Sequence, residues 1–338
     1  MTVVAERAGP VLAKRRRWGR PTAAAAVLGL LVVVRVIAPD RVGLGSRTQD
    51  FLTLAISVVV ESLPFVVVGI AVSALVQIWL PSEVIFRVLP RTPALRRAGL
   101  SLLGVLLPVC ECGNVPLARG LLVRGLTVPD VLTFLLAAPI LNPITIVVTY
   151  QAFGFSDGIL VWRVVGGFAI ANLVGWLFSR HPHPEDLLTR RFTDSCRTHR
   201  HGAESGRPRQ TLELFLAETT TMLPALFVGA AAAGAIQVFV PRNLLLVLGQ
   251  SPLWSVVALI VLAFVIAICS TVDAFFILSL GSTFTPGAIV AFLLFGPMID
   301  VKMLALLRTT FRGLTLVELT AVVALLVAAA GLAVNLAL

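Results

Sequence analysis

Two cysteines and a glutamate lie together inside an apolar stretch that is long enough to enter a membrane. The motif reads Cys-Glu-Cys-Gly-Asn over residues 110–114, and Pro116 follows it. A bilayer has no water to satisfy an opened backbone, so a helix break at that depth is tolerated only where it is buried in protein or lines a cavity. Ionisable groups there are costly and usually functional. The motif therefore predicts one half of a transport site.

Cys110 and Cys112 could bind one soft solute together if the helix opens at this point. Side chains two residues apart point away from each other in a regular helix. Gly113 and Pro116 would let the chain leave the helix, so that both thiols turn toward one ligand. Thiolates suit soft ions and metalloids rather than Mg²⁺ or Ca²⁺, whereas a buried cysteine can also be an ordinary small hydrophobe. We predict Cys110, Cys112 and Asn114 as substrate contacts.

A second cysteine motif, Cys269-Ser-Thr-Val-Asp273, lies roughly 160 residues further along, in another apolar stretch. Cys269 corresponds to Cys110 and is a third predicted substrate contact. A carboxylate at this depth is hard to explain by packing, so we predict that Asp273 and Glu111 carry a coupling proton. Glu111 could instead form an ion pair with Arg119.

Each half of the chain also has a helix broken by a proline next to a polar residue. The first half reads Pro139-Ile-Leu-Asn142-Pro143 and the second reads Pro297-Met-Ile-Asp300. Opened carbonyl groups and a polar side chain at such breaks could line a path for a solute. We predict backbone breaks at the three prolines and substrate contacts at Asn142 and Asp300.

These matches belong to an internal repeat. Leu-Pro pairs, glutamines, prolines and cysteines recur at a spacing of roughly 160 residues, for example Pro64 with Pro224 and Gln77 with Gln237. Chance similarity between apolar segments would not place such residues so consistently, so we predict a duplication. We also consider one carboxylate in the first helix of each copy. Glu61, in the first copy, is a weaker site candidate, and Glu218, in the second, is expected at the membrane interface.

The composition predicts an all-α polytopic membrane protein. Of 338 residues, 58% are hydrophobic and 13% are charged, whereas soluble domains are about 25% charged. Repeated apolar stretches approach the roughly 20 residues that span a bilayer. The formal net charge is +10, but basic residues cluster at the ends of apolar segments, as the positive-inside rule describes. We therefore predict a lipid bilayer and a small-molecule substrate as partners, and no nucleic acid.

The charge bias favours two inverted repeats. If every segment spans, the copies are parallel, and the basic N-terminus and the basic central linker fall on opposite sides. If the cysteine segments are broken and re-entrant, each copy crosses three times, and most basic loops share one side. Arg163 then lies at or near the outer face. Inverted repeats that meet at discontinuous helices are a recurring plan of secondary transporters; a broken but spanning cysteine segment is the alternative.

Five parts follow from this pattern. They are a basic cytoplasmic N-terminus (1–20), an extra first transmembrane helix with its loop (21–50), transmembrane repeat 1 (51–179), a cytoplasmic linker rich in histidine and arginine (180–211) and transmembrane repeat 2 (212–338). The prediction is a multi-pass protein of the cytoplasmic membrane with its N-terminus in the cytoplasm.

The linker holds all four histidines and the fourth cysteine of the chain. These residues are His181, His183, Cys196, His199 and His201. Two His-x-His pairs with a cysteine could bind Zn²⁺ or Cu⁺. The segment is also rich in arginine, serine and proline, which is typical of a disordered linker.

No Walker motif, dinucleotide-binding glycine motif or nucleophile elbow occurs in the sequence. We predict a protein that is not an enzyme and uses no cofactor. Energy for transport would come from an ion gradient, from substrate chemistry or from a partner. The oligomeric state stays open.

Three segments resemble one family. The segments Pro108–Leu117, Ala138–Pro143 and Cys269–Asp273 are similar to the bacterial permease family that includes the trivalent organoarsenical efflux permeases. The family motif typically reads Cys-x-Cys-Gly followed by Pro-Leu, and its middle residue is commonly serine where this chain has Glu111. The resemblance covers most of the chain from about Phe51 onward. It implies a permease of the cytoplasmic membrane that exports small thiol-reactive compounds by proton exchange.

Three other functions are compatible with the residues. One is a membrane thiol-redox protein in which Cys110 and Cys112 relay electrons, since a disulfide between such close cysteines is strained and oxidising. Another is a permease for a metal or a different small solute. The last is a scaffold subunit that anchors partners through the basic linker.

Overall fold

The protein is described here by a computed structural model that covers residues 46–79, 87, 89–90, 92–106, 110–155, 158–198, 206–239, 251–281 and 283–337. The predicted basic N-terminus and extra first helix lie outside the described residues. Within these ranges the chain forms helices and short connections, with one isolated β-bridge between Leu188 and Phe311. The prediction of an all-α polytopic membrane protein is confirmed, because five helical segments in the described part are long and apolar enough to cross a membrane.

The first half contains six helices among its described residues. They are α1 (Ser46–Trp79), α2 (Pro93–Leu106), α3 (Glu111–Val123), α4 (Val128–Ala137), α5 (Pro143–Phe153) and α6 (Ile159–Phe178). The remaining part has a 3₁₀ turn (Pro184–Leu187) followed by further helices. These are α7 (Arg190–Thr198), α8 (Arg207–Phe239), α9 (Pro252–Ile266), α10 (Asp273–Leu278), α11 (Pro286–Met298), α12 (Val301–Leu307) and α13 (Gly313–Ala337).

Helices α1 and α8 pack along their lengths and run in opposite directions. Trp79, at the end of α1, donates a hydrogen bond from its indole nitrogen to the hydroxyl of Thr211, near the start of α8 (3.2 Å). At the other end, Gly234 of α8 lies against Ala55 of α1. Inverted repeats would place these two helices antiparallel. The duplication and its inversion themselves stay predictions.

Both cysteine motifs begin a new helical turn. Cys110 precedes α3 directly, and Cys269 lies in the connection between α9 and α10. In each case the cysteine carbonyl accepts hydrogen bonds from the backbone N–H groups three and four residues later. Ala267, with a left-handed backbone (φ 52°), turns the chain out of α9. Whether these segments are re-entrant or spanning remains a prediction.

Gly113 and Pro116 do not break the helix, contrary to the sequence prediction. Both lie inside α3, and the extended residue is Cys110, directly before the helix. Helices α1 and α3 are in close contact at this point, because a Cβ at Gly69 of α1 would overlap the Gly113 backbone. Beside it, the hydroxyl of Ser73 donates to the Pro116 carbonyl (2.7 Å). The motif therefore fixes α3 against α1.

The other three prolines of the predicted breaks lie at helix ends. Pro139 is in the turn after α4, Pro143 is the first residue of α5, and Pro297 is the penultimate residue of α11. The first turn of a helix leaves its N–H groups unused, which suits Pro143. Pro297 lies in the last turn of α11, where its missing N–H group disfavours continuation of the helix.

The contact between α1 and α3 predicts opposite effects for two glycine substitutions. Gly69→Ala should destabilise the protein by about 1–3 kcal/mol, because the new methyl group overlaps backbone atoms that cannot move aside. Gly99→Ala, the matched control in α2, meets only Pro90 at 3.9 Å and should gain about 0.5–1 kcal/mol from helix propensity. Thermal unfolding in detergent measures both, and a stable Gly69→Ala variant would contradict the close contact.

The first part of the linker is folded, so the expectation of disorder is wrong there. Leu187 and Phe192 are buried. The backbone of Thr189 donates to the Thr310 carbonyl (2.8 Å), and that of Arg312 donates to the Leu187 carbonyl (3.0 Å). Two apolar anchors and the paired backbone hold the segment against the connection between α12 and α13. Composition alone did not reveal these contacts.

Candidate functional site

Three cysteine thiols from the two motifs meet in the interior. Cys110, Cys112 and Cys269 are each at most 2% exposed, and all three are free thiols. The Cys110 side chain interacts with those of both Cys112 and Cys269. The start of α3 and the connection between α9 and α10 therefore bring together cysteines that are far apart in sequence. We call Cys110, Cys112 and Cys269 the thiol cluster.

Glu111 lies beside the thiol cluster. Its Oε2 accepts a hydrogen bond from the Ser270 hydroxyl (3.2 Å) and lies 3.9 Å from the Cys269 sulfur. Its Oε1 lies 3.0 Å from the Nζ of Lys302, and both side chains are 1% exposed. One oxygen therefore faces the second cysteine motif and the other faces a buried cation.

Lys302 was missed as a site residue by the sequence analysis. It lies in the first turn of α12, where its Nζ is also 3.6 Å from Asp300 Oδ2. Asp300 caps α12 by accepting the backbone N–H of Met303 (2.6 Å). Two buried carboxylates therefore share one ammonium group, and the three charges leave an excess of one negative charge. Charges buried this way are stable only when they are paired and hydrogen-bonded.

A signal for Lys302 was present in the sequence. The residue stands two positions after Asp300, in a segment apolar enough to span a membrane. Positive-inside counting treats such a lysine as a marker of a loop end. A lysine directly beyond a predicted break, next to a carboxylate, is better interpreted as an intramembrane ion pair.

Asp273 forms a bidentate ion pair with Arg163 of α6. The two guanidinium nitrogens lie 3.0 and 2.6 Å from the carboxylate oxygens, and Arg163 also donates to the Thr149 hydroxyl (2.8 Å). Arg163 is 1% exposed and lies near the start of α6; its expected position near the outer face of the membrane stays a prediction. The pair anchors the first turn of α10 to α6. The proposed proton-coupling role of Asp273 stays a prediction.

This ion pair predicts a large loss of stability for Asp273→Asn. Removing one partner leaves the buried guanidinium uncompensated, which typically costs about 3–5 kcal/mol. Asp186→Asn is the matched control, because its pair with Arg312 (3.5 Å) is exposed and should contribute less than about 1 kcal/mol. The melting temperatures of both variants in detergent test this, and equal small shifts would contradict the burial of the pair.

Arg119 pairs with Glu218 rather than with Glu111. Its Nε donates to Glu218 Oε2 (3.0 Å), and a terminal nitrogen donates to the Thr310 hydroxyl (2.9 Å). Glu218 is buried, 8% exposed. The predicted Glu111–Arg119 pair is therefore wrong, whereas the expected position of Glu218 at the membrane interface stays a prediction. Arg119 and Glu218 are 99 positions apart, and the periodicity of apolar residues does not predict which distant charged residues pair.

The predicted amide contacts are buried. Asn142 caps α5 by accepting the backbone N–H of Ile144 (2.9 Å), in the same way that Asp300 caps α12. Asn114 lies in α3, four residues after Cys110, and is fully buried. Contacts of these three residues with a substrate stay predictions.

The linker residues are only partly described. The backbone N–H of His183 donates to Nδ1 of His181 (3.3 Å), Cys196 belongs to α7, and His199 and His201 lie outside the described residues. Over the described ranges, the group with spacing suited to a metal is Cys110, Glu111 and Cys269, whose ligand atoms lie within 4.8 Å of one another. Metal binding by the linker stays a prediction.

Comparison with known proteins identifies the family. The family model described as "Predicted permease" matches residues 47–336. The "UPF0718 protein YcgR" of Bacillus subtilis (strain 168) is 33% identical over 260 residues, which cover 77% of this chain and 88% of that protein. A Streptococcus mutans protein named "Putative two-component membrane permease complex subunit" is 30% identical over 277 residues, 80% of this chain and 89% of the relative. No solved structure matches the chain.

The match covers both cysteine motifs, both groups of helix breaks and all the buried ion pairs described above. The resemblance found in the sequence is therefore confirmed at the level of the family. With five apolar helical segments of spanning length in its described part, the chain belongs to the predicted permease family and is a multi-pass membrane transporter.

Proposed function

We propose that the protein is a secondary-active permease that exports a small thiol-reactive solute, such as a trivalent organoarsenical, in exchange for protons. The observation that carries this proposal is the thiol cluster. Soft thiol ligands select soft metals and metalloids, and three buried thiols that meet between broken helices could hold a trivalent arsenic atom in transit.

The ammonium group beside the cluster favours a neutral solute over a metal cation. Lys302 Nζ lies 3.0 Å from Glu111, and its charge also interacts with Cys112 and Cys269. A divalent cation bound between Cys110, Glu111 and Cys269 would meet this positive charge at short range in a medium of low dielectric constant. A neutral hydroxylated arsenical would not.

Proton exchange is supported by the charge count around Lys302. Glu111 and Asp300 together carry one more negative charge than the ammonium neutralises. Uptake of one proton by either carboxylate would remove that excess, and its release would restore it. Glu111 is the better carrier because it also faces the Cys269 sulfur, so that solute binding and protonation would affect each other directly. Asp273, held by Arg163, is a second predicted carrier.

The transport path would run between the two halves. The start of α3, the connection between α9 and α10 and the start of α12 all contribute to the cluster region. In secondary transporters the substrate-binding site is typically formed where discontinuous helices meet. We place the protein in the cytoplasmic membrane with its N-terminus inside, on the basis of the basic loops.

Uptake of trivalent methylarsenite into everted membrane vesicles tests the proposal. Accumulation should depend on a proton gradient that is acid inside the vesicle, because solute enters as protons leave, and it should collapse when a protonophore is added. Vesicles that contain no permease provide the baseline. If methylarsenite does not accumulate in wild-type vesicles under any gradient, the arsenical substrate is wrong, and other uncharged thiol-reactive solutes become the next to try.

A soft-metal permease is the second candidate, because Cys110, Glu111 and Cys269 meet the spacing of metal ligands. Vesicle uptake of Cd²⁺ and Cu⁺ separates the two functions. Metal uptake that exceeds methylarsenite uptake would favour this candidate.

A further inference from the structure

A cavity of about 520 Å³ lies beside the connection that carries Cys269. Helix α1 contributes Ser57 and Glu61, which are one turn apart on one face. Gln237 comes from α8, and residues 266–268 come from the end of α9 and the connection after it. Ser279 directly follows α10. The remaining lining side chains are apolar. This size and this balance of apolar walls with a few polar groups are typical of small-molecule sites.

Glu61 provides the charge of this cavity. It is the one ionisable residue in the lining, it is half-buried, and across the described ranges no hydrogen bond or ion pair engages its carboxylate. The buried carboxylates of the described residues are each paired with a lysine or an arginine: Glu111, Asp130, Glu218, Asp273 and Asp300. A carboxylate without a protein partner in an apolar span is a binding group by default.

The cavity shares a wall with the cysteine break. The side-chain amide of Gln237 donates to the carbonyl of Ile266 (2.7 Å), which satisfies an acceptor at the end of α9. Ile268, also in the lining, directly precedes Cys269. A molecule in the cavity is therefore separated from the thiol cluster by the backbone of the α9–α10 connection.

We infer that this cavity is a second solute-binding site, which takes a small molecule with an apolar body and a positively charged or hydrogen-bond-donating group that faces Glu61. The apolar walls select the body, and the carboxylate disfavours anions. The ligand class follows from the cavity alone. Its place as a waiting position next to the thiol cluster rests on the proposed function.

The ligand class is tested without arsenic chemistry. In a variant with all four cysteines replaced by serine, Ser57→Cys is labelled with N-ethylmaleimide in the presence of benzyltrimethylammonium, benzyl alcohol or benzoate. The cation, and more weakly the alcohol, should slow labelling several-fold, and benzoate should not. Adding Glu61→Gln should remove the preference, whereas Glu318→Gln, an exposed carboxylate on α13, should leave it. Equal protection by all three probes, or by none, overturns the inference.

A second measurement uses the protein with its cysteines intact, in case the cysteine-free variant does not fold. A ligand that binds only the folded state raises its melting temperature. Benzyltrimethylammonium should raise it in the wild type and in Glu318→Gln but not in Glu61→Gln, and benzoate should not raise it in any of them. The same shift in Glu61→Gln and the wild type would contradict a site at Glu61.

The position beside the thiol cluster is tested by kinetics. In everted vesicles Glu61→Gln should raise the KM for methylarsenite several-fold at unchanged maximal rate, because it weakens an initial site without touching the thiols. An unchanged KM removes the cavity from the path. If the wild type does not transport methylarsenite, the proposed function fails while the labelling result stands.

Discussion

Replacement of Cys110 with serine is expected to abolish transport of methylarsenite while the protein still reaches the membrane. Cys110 is the thiol that interacts with both other members of the cluster, so its loss leaves no continuous group of sulfurs. Serine has nearly the same shape, but its oxygen is a poor ligand for soft elements. The initial rate in everted vesicles should fall by about 100-fold or more, since even second-shell changes around a bound metal cost about 10–100-fold.

Serine variants of the other cysteines test whether the effect is specific to the thiol cluster. Cys112→Ser and Cys269→Ser should also reduce the rate strongly, and the triple variant should be inactive. Cys196→Ser, in the linker helix α7, is the matched control and should transport like the wild type. A triple variant that reaches the membrane and transports at the wild-type rate would disprove a role of the thiols in binding.

Replacement of Lys302 with methionine is expected to destabilise the protein by about 3–5 kcal/mol, because it leaves Glu111 and Asp300 buried without a counter-ion. Methionine is apolar and nearly as long as lysine, so a cavity at position 302 should contribute little to the loss of stability. The melting temperature in detergent and the yield of folded protein measure this loss. Arg312→Met, which removes an exposed partner of Asp186, is the control and should change stability by less than about 1 kcal/mol.

A double variant separates folding from transport. Lys302→Met combined with Glu111→Gln removes both charges of the 3.0 Å pair and should recover part of the lost stability, because one buried carboxylate, Asp300, is then left without a counter-ion instead of two. Transport driven by a proton gradient should not recover, because Glu111 is the proposed proton carrier. Wild-type stability of Lys302→Met alone would contradict the buried triad, and recovered proton-driven transport in the double variant would exclude Glu111 as the carrier.

The sequence indicated which residues cluster in the interior, but it did not indicate their ion-pair partners. Cys110, Cys112, Cys269, Glu111 and Asp300 were chosen because polar and thiol groups stand out in apolar segments, and the structure brings all five together. Two features of the sequence indicated these residues: the two-residue spacing of Cys110 and Cys112, which a regular helix does not bring to one face, and the second cysteine motif at Cys269. The same reasoning could place Asp273 deep in the protein, where the structure has it.

The ion-pair partners were missed because their sequence separations are large. Arg163 and Asp273 are 110 positions apart, and Arg119 and Glu218 are 99 positions apart. Without a fold, basic residues can only be assigned by charge bias, and that rule places them in loops or at interfaces. The rule does not reveal the partners of Arg163 and Lys302, because each is neutralised by a carboxylate that comes close only through tertiary packing.

Backbone geometry was the other limit. Glycine and proline in a motif predict a break, yet Gly113 and Pro116 lie inside α3 and serve its contact with α1. The same residue type serves close helix packing in one place and a turn in another. Only the position of a neighbouring helix distinguishes them, and one sequence does not contain that information.

The buried ion pairs have a consequence for the way the protein is made. Glu111–Lys302, Arg119–Glu218 and Arg163–Asp273 each join a residue of the first half to one of the second. When the ribosome has delivered only the first half, one carboxylate and two guanidinium groups are already in or near the bilayer with their counter-charges not yet synthesised. We therefore expect the first half to insert stably only when the second half is present to neutralise these charges.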